Sequence, residues 1–148
     1  LPIMRGRVAI LSKMAVVLAN NGEKKMAQND LDIAWRLAWR NTQHEDFAEM
    51  LSNITDAQLA AGFVLQALDT AARIPDEPSA LTNDRAAFMD ASAPPESPRN
   101  RALRNVAMAA GTAGRLNLSI RAVRAITDET ARAYAISRIA TAIAKAER

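Results

Sequence analysis

Apolar residues recur at the spacing of an α-helix along most of this chain, and this period restricts the fold more than any other feature. Near the carboxyl end, Ile136, Ile139 and Ile143 fall on one helical face, because residues three and four apart are neighbours on a helix. Alanine, which has the highest helix propensity, occupies 32 of the 148 positions, against 5 glycines and 6 prolines. Aromatic residues, which favour strands, make up only 4%. We therefore predict an all-α protein.

Capping signals divide the chain into about eight helices. Ser97 before Pro98 fits an N-cap followed by proline at the first helical position. Gly22 and Gly114 follow helical runs and suit left-handed helix ends. Residues 42–45 and 55–58 each begin with Thr and end with Glu or Gln, the pattern of a capping box. The predicted helices span roughly residues 5–20, 24–40, 43–54, 56–73, 83–92, 98–112, 116–126 and 128–146.

Length and charge bear on the organisation of the chain. The 148 residues fit one helical domain over 1–148, with 1–93 as an acidic half and 97–148 as a basic half. Residues 1–98 carry a net charge of −4, whereas residues 99–148 carry +7. Most predicted connections are short, so we expect neighbouring helices to be antiparallel.

Weak internal similarity points to repeated helix pairs. A shift of 92 residues aligns Leu11, Ala15 and Gly22 with Leu103, Ala107 and Gly114, and such repeats are typical of helical-repeat proteins. Residues 8–39 resemble a degenerate tetratricopeptide (TPR) helix pair, and residues 100–126 fit the same pattern less well. The resemblance is carried by Leu11, Met14, Ala15, Leu18, Gly22, Ala27, Leu31 and Ala34, although the family's signature Trp, first-helix Gly and Tyr are absent. It implies antiparallel helix pairs in a right-handed TPR-like or α-solenoid stack, and a protein that binds other proteins.

The residues that usually carry catalysis are scarce. His44 is the single histidine and the chain has no cysteine, which argues against a histidine- or thiolate-rich metal site. Glu45 and Glu49 lie one helical turn apart, a spacing that acid–base chemistry can use. The alternative is structural, because the helix dipole favours acidic residues in the first turn. We therefore expect no enzyme activity, no metal and no cofactor.

Two surfaces are candidates for binding. Trp35 and Trp39 form a ridge on the second helix beside Arg36 and Arg40, and Trp and Arg are favoured anchors in protein interfaces. The alternative is that both Trp side chains pack against a neighbouring helix. Arg121, Arg124, Arg132 and Arg138 form a basic patch that could meet phosphates. The alternative is that these four arginines lie on ordinary solvated helix faces or pair with groups at helix ends.

The leading functional hypothesis is a non-catalytic scaffold or adaptor that binds a protein partner of unknown identity. Nucleic-acid binding through the basic carboxyl-terminal helices is the alternative. We also expect a homodimer, because apolar faces on the first and last helices need a cover. No window is apolar enough to predict a membrane span. The sequence does not fix the compartment, although we favour the cytoplasm.

Overall fold

The structure, a computed structural model, describes residues 2–76 and 94–147. These ranges contain seven α-helices and no strand, and 78% of their residues are helical. The prediction of an all-α fold is therefore confirmed for the described part of the chain. The predicted helix at 83–92 lies outside the described residues.

Within residues 2–76 and within residues 94–147, short connections join consecutive helices. In chain order they are α1 Pro2–Asn20, α2 Lys24–Trp39, α3 Phe47–Ala60, α4 Val64–Ala72, α5 Pro98–Thr112, α6 Leu116–Ala125 and α7 Glu129–Ala146.

The chain divides into two compact units, Leu1–Ile74 and Pro75–Arg148. In the first unit α1 packs on α2 and α3, and α3 packs on α4 and α2. Its largest fully buried side chains include Leu31, Met50 and Ile54. In the second unit α5 packs on both α6 and α7, around Leu103, Val106 and Ile126.

One turn geometry joins three pairs of helices. Gly22, Gly62 and Gly114 have φ angles of +85°, +86° and +76°, a left-handed conformation that glycine adopts without a Cβ clash. In each turn the N–H of the next residue donates to the carbonyl five residues back at 2.8 Å. This is the Schellman motif, which satisfies a free carbonyl at the helix end. The predicted left-handed ends at Gly22 and Gly114 are confirmed, and Gly62 adds a third.

The predicted boundaries in the middle of the first unit are wrong. Residues 42–45 precede α3, and Thr55 lies inside α3, not at an N-cap. The Thr55 hydroxyl is fully buried and donates to the Leu51 carbonyl at 2.8 Å, so it satisfies its own helix and does not begin a new one. The helix continues to Ala60 and ends at the Gly62 turn.

The start of α5 agrees with the sequence and carries an additional contact. Ser97 is the N-cap, and its hydroxyl oxygen accepts a hydrogen bond from the Asn100 N–H at 3.1 Å. The same hydroxyl donates to Asp76 Oδ1 at 2.9 Å, while the Thr127 hydroxyl donates to Asp76 Oδ2 at 2.6 Å. Asp76 therefore ties the start of the second unit to the beginning of α5 and to the α6–α7 connection.

Candidate functional site

An open apolar groove of about 420 Å³ lies between α6 and α7 of the second unit. We call it the α6–α7 groove. Its walls are made almost entirely of hydrocarbon, with one guanidinium group at the edge. The lining residues are Leu116, Ser119, Ile120, Val123, Arg124, Ile136, Ile139, Ala140 and Ile143.

The groove arises because α6 and α7 each have a second apolar face. Both helices pack on α5, where α6 buries Leu118 and Ala122, and α7 buries Ala131 and Ala135. The groove residues of α6 follow one another at positions 116, 120 and 123, so they share a different face of that helix. This second face has no covering helix among the described residues.

Large apolar side chains in the groove stay in contact with solvent. The exposed fractions are 56% for Leu116, 48% for Ile120 and 54% for Ile136. Ile139, in contrast, is only 9% exposed and forms part of the floor. Exposed apolar side chains that are contiguous, and not scattered singly, are typical of interaction surfaces.

Gly111 of α5 lies behind the groove, close to side chains that line it. A Cβ atom at this position would come within 3.3 Å of side-chain carbons of Ile139 and Ile143, and within 3.4 Å of the Ser119 hydroxyl. Glycine therefore lets α7 approach α5 closely. The Ser119 hydroxyl donates to the Ala107 carbonyl at 2.8 Å, so this polar group of the lining is already hydrogen-bonded.

The charge around the groove is positive. Arg124 lines it and Arg121, also exposed, precedes Arg124 by one turn of α6. The sequence of α6 contains no acidic residue. A carboxylate on a ligand would therefore meet an unopposed positive potential from this helix.

The four members of the predicted basic patch lie on two helices of the second unit. Arg121 and Arg124 share α6, but Arg132 is half-buried and its Nη2 donates to the Ile126 carbonyl at 2.8 Å. Arg138 is exposed on α7 two residues after the groove residue Ile136, and residues two apart on a helix point in different directions. Arg132 thus caps the carboxyl end of α6 through this hydrogen bond, whereas Arg124 lines the groove.

Other basic side chains of the second unit are engaged internally. Arg104 binds the Glu96 carboxylate through Nε and Nη2 at 2.9–3.2 Å and lies 5.5 Å from the Tyr134 ring centre. Arg99 Nη1 donates to the Ala125 carbonyl at 3.0 Å. The excess positive charge of residues 99–148 therefore serves partly to cap and join helices.

The predicted Trp ridge belongs to an aromatic cluster of the first unit. Trp35 and Trp39 are half-buried with ring centres 5.3 Å apart, and Trp39 meets Phe47 of α3 edge-on at 5.2 Å. The Arg73 guanidinium lies 6.0 Å from the Trp39 ring centre, within the range of a cation–π contact. Trp39 therefore packs against the neighbouring helix α3, whereas the ring contact of Trp35 is with Trp39 of its own helix.

The two arginines beside the ridge are exposed. Arg36 Nε donates to the Asp32 carbonyl at 3.3 Å within α2, and Arg40 is the C-cap residue of the same helix. Both guanidinium groups lie at the surface, where a partner could reach them.

The residues considered for catalysis make local contacts. His44 Nδ1 accepts a hydrogen bond from the Asp46 N–H at 3.1 Å in the turn before α3. Glu45 precedes that helix, and Glu49, in its first turn, pairs with Arg5 at 3.5 Å. Across residues 2–76 and 94–147, no three His, Cys, Asp or Glu side chains are grouped to hold a metal ion.

Comparison of the chain with protein-family models, curated proteins and solved structures finds no significant match. None of the helices in the described ranges is both long and apolar enough to cross a membrane.

The sequence predicts one wall of the groove, the apolar face of the last helix with Ile136, Ile139 and Ile143. Leu116 and Ile120 of α6, in the opposite wall, are not among the predicted residues. Their spacing of four residues, continued by Val123, was the available signal.

Proposed function

We propose that this chain is a non-catalytic helical scaffold that binds an amphipathic helix of a partner protein in the α6–α7 groove. The observation that carries the proposal is the concave apolar surface whose Leu116, Ile120 and Ile136 side chains remain about half exposed. An amphipathic helix buries such a groove with a row of apolar residues at helical spacing.

The groove is better suited to a peptide helix than to a small molecule. Small-molecule sites usually combine apolar walls with a few polar groups that fix the orientation of the ligand. Here the Ser119 hydroxyl is occupied by the Ala107 carbonyl, which leaves the Arg124 guanidinium at the rim. The same chemistry supports a non-catalytic role, because this lining offers no free nucleophile or base.

The charge of the groove indicates an acidic partner. Arg124 and Arg121 are exposed on a helix without acidic residues. A ligand helix with Glu or Asp beside its apolar row would be attracted and oriented by them.

We also propose that the helix pairs form a TPR-like stack. The three hairpins α1–α2, α3–α4 and α5–α6 close through the same glycine turn. In the first unit α1 packs both on its own partner α2 and on α3, the first helix of the next pair. This pattern supports successive pairs that pack on their neighbours, as in helical-repeat proteins.

Methyl NMR tests the groove directly. The chain, labelled at its isoleucine δ1-methyl groups, is titrated with a synthetic amphipathic helix that carries Leu at i, i+3, i+4 and i+7 and Glu beside them. We expect saturable shifts of Ile120, Ile136 and Ile143, while the buried Ile54 and Ile74 of the first unit stay unchanged.

A matched pair of variants tests whether the groove is the cause. Ile136→Lys should weaken the peptide affinity measured at the groove by about tenfold or more, as expected at the centre of an interface. Leu65→Lys changes a side chain of similar exposure, 49%, on α4 and should have no such effect. Equal weakening by both variants, or unmoved groove methyl groups at saturation, would refute the proposal. Shifts produced instead by duplex DNA, with a steep salt dependence, would favour the nucleic-acid alternative.

A further inference from the structure

The exposed face of α1 carries a second row, apolar at four of its five positions, with a different spacing. Ile3, Arg7, Ile10, Met14 and Val17 follow one another in steps of four, three, four and three residues. This alternation is the a and d pattern of a coiled coil, which places all five residues on one narrow stripe. We call these residues the α1 seam.

The α1 seam faces solvent while the opposite side of the helix is packed. The exposed fractions are 73% for Ile3, 59% for Ile10, 49% for Met14 and 59% for Val17. On the other side, Val8 and Ala15 are fully buried where α1 meets α2 and α3. A helix with two apolar faces is typically held between neighbours, and one of those neighbours is missing from the first unit as described.

The charges of α1 indicate the kind of helix that would fit. Its ionisable side chains are Arg5, Arg7 and Lys13, and it has no acidic residue. Arg5 points to Asp46 and Glu49 of the first unit, at 3.6 and 3.5 Å. Arg7 lies within the seam and is exposed, so its guanidinium is available to a ligand. Lys13 is also exposed, but it lines a pocket between α1 and α3 that Asp56 shares.

We infer that the α1 seam docks one acidic helix of another protein in coiled-coil fashion, as a second binding surface independent of the α6–α7 groove. A second copy of α1 is the poorer occupant. Pairing two copies would place the Arg7 guanidinium of each copy within the same seam, with no carboxylate on either α1 helix to oppose them, and like charges at such positions are unfavourable.

Heptad peptides of opposite charge provide the test. The acidic peptide has about three heptads with Leu at a and d and Glu at e and g, and like-charge repulsion keeps it single-stranded at neutral pH. The basic peptide has Lys in place of Glu. In the isoleucine-labelled chain we expect the acidic peptide to shift Ile3 and Ile10, with an affinity about tenfold or more above that of the basic peptide.

Two variants distinguish the contribution of charge to peptide binding from the contribution of apolar contact. Arg7→Glu should reduce or reverse the preference for the acidic peptide, and Ile10→Lys should weaken binding of either peptide to the seam. Leu65→Lys is the matched control and should leave both affinities unchanged. Because Ile136→Lys alters only the groove, it should leave the shifts of Ile3 and Ile10 intact, so failure of one surface does not imply failure of the other.

The outcomes that would overturn the inference are distinct. If the methyl signals of Ile3 and Ile10 do not shift at saturating acidic peptide, the seam binds no such helix. Equal affinity for the two peptides would remove the charge argument. Binding to phosphatidylserine vesicles that Ile10→Lys abolishes, with no peptide binding, would assign the seam to a membrane surface instead.

Discussion

At the scale of single residues, Asp76 connects segments of the second unit that are distant in sequence. It lies outside any helix, yet its carboxylate accepts hydrogen bonds from the Thr127 and Ser97 hydroxyls and lies 4.0 Å from Arg99. The Thr127 hydrogen bond lowers the pKa of Asp76 most; the Ser97 hydrogen bond and the Arg99 charge lower it further, against the opposing effect of burial.

Replacing the Asp76 carboxylate should change how the free energy of unfolding depends on pH. Because the pKa of Asp76 is lowered on folding, its contribution is present above the unfolded pKa and is lost as the pH falls through the folded pKa. We expect Asp76→Asn to lower the free energy of unfolding by about 1–2 kcal/mol at pH 7. The difference from wild type should shrink below about pH 4.

Urea denaturation followed by circular dichroism, at pH 7 and at low pH, measures this effect. Asp69→Asn is the control, because Asp69 is an exposed carboxylate that pairs with Arg73 on the same helix, and such pairs contribute little. A difference that is independent of pH would show that the Asp76 charge is not what stabilises the second unit.

At the scale of helices, the sequence predicts the location of most helices. The predicted boundary was wrong where an N-cap pattern also fits a residue inside a helix. Ser97 and Thr55 both resemble N-caps, and Ser97 is one. Thr55 differs through its surroundings, since it is fully buried inside the first unit, and burial on a helix face depends on partners that are distant in sequence. Gly62 was the stronger local signal for a helix end.

The turn at Gly62 can be tested against a glycine inside a helix. Gly62→Ala should destabilise the first unit by about 1 kcal/mol, because φ of +86° is unfavourable for a residue with a Cβ. Gly6→Ala should stabilise it by about 0.5–1 kcal/mol, since Gly6 is within α1 and a Cβ there meets no atom within 4 Å. Both changes are measured from the midpoint of urea denaturation. Opposite signs are expected, and a shared sign would contradict the assigned turn.

The exposure of the groove also depends on contacts between residues that are distant in sequence. The period of α7 reveals an apolar face, but it cannot reveal that α5 covers Ala131 and Ala135 and leaves Ile136 exposed. That choice depends on how closely the helices approach, and the lack of a Cβ at Gly111 leaves room for the side chains of Ile139 and Ile143.

At the scale of the whole molecule, the predicted homodimer can be judged by its response to salt. The α1 seam and the α6–α7 groove both expose apolar side chains beside exposed basic residues. If two copies cover these surfaces in the absence of a partner, apolar contact attracts them and like charges repel them. Salt screens the repulsion between exposed charges, so we expect dimerisation to strengthen as salt increases.

Sedimentation equilibrium at micromolar protein, in about 0.05 M and about 0.5 M sodium chloride, measures this dependence. Ile10→Lys and Ile136→Lys then report which surface takes part. A monomer under both conditions would contradict the dimer. A dimer that weakens with salt would show that attraction between opposite charges, and not apolar contact, holds the two copies together.

The way the helices pair also bears on how the protein is made in a cell. Extensive packing within each described unit joins helices that are adjacent or once removed along the chain, and contacts of this local kind favour fast folding. The first unit has all its own helices once Ile74 has been synthesised. It can therefore fold while the ribosome is still adding the second unit, and bury Leu31, Met50 and Ile54 before the basic helices emerge.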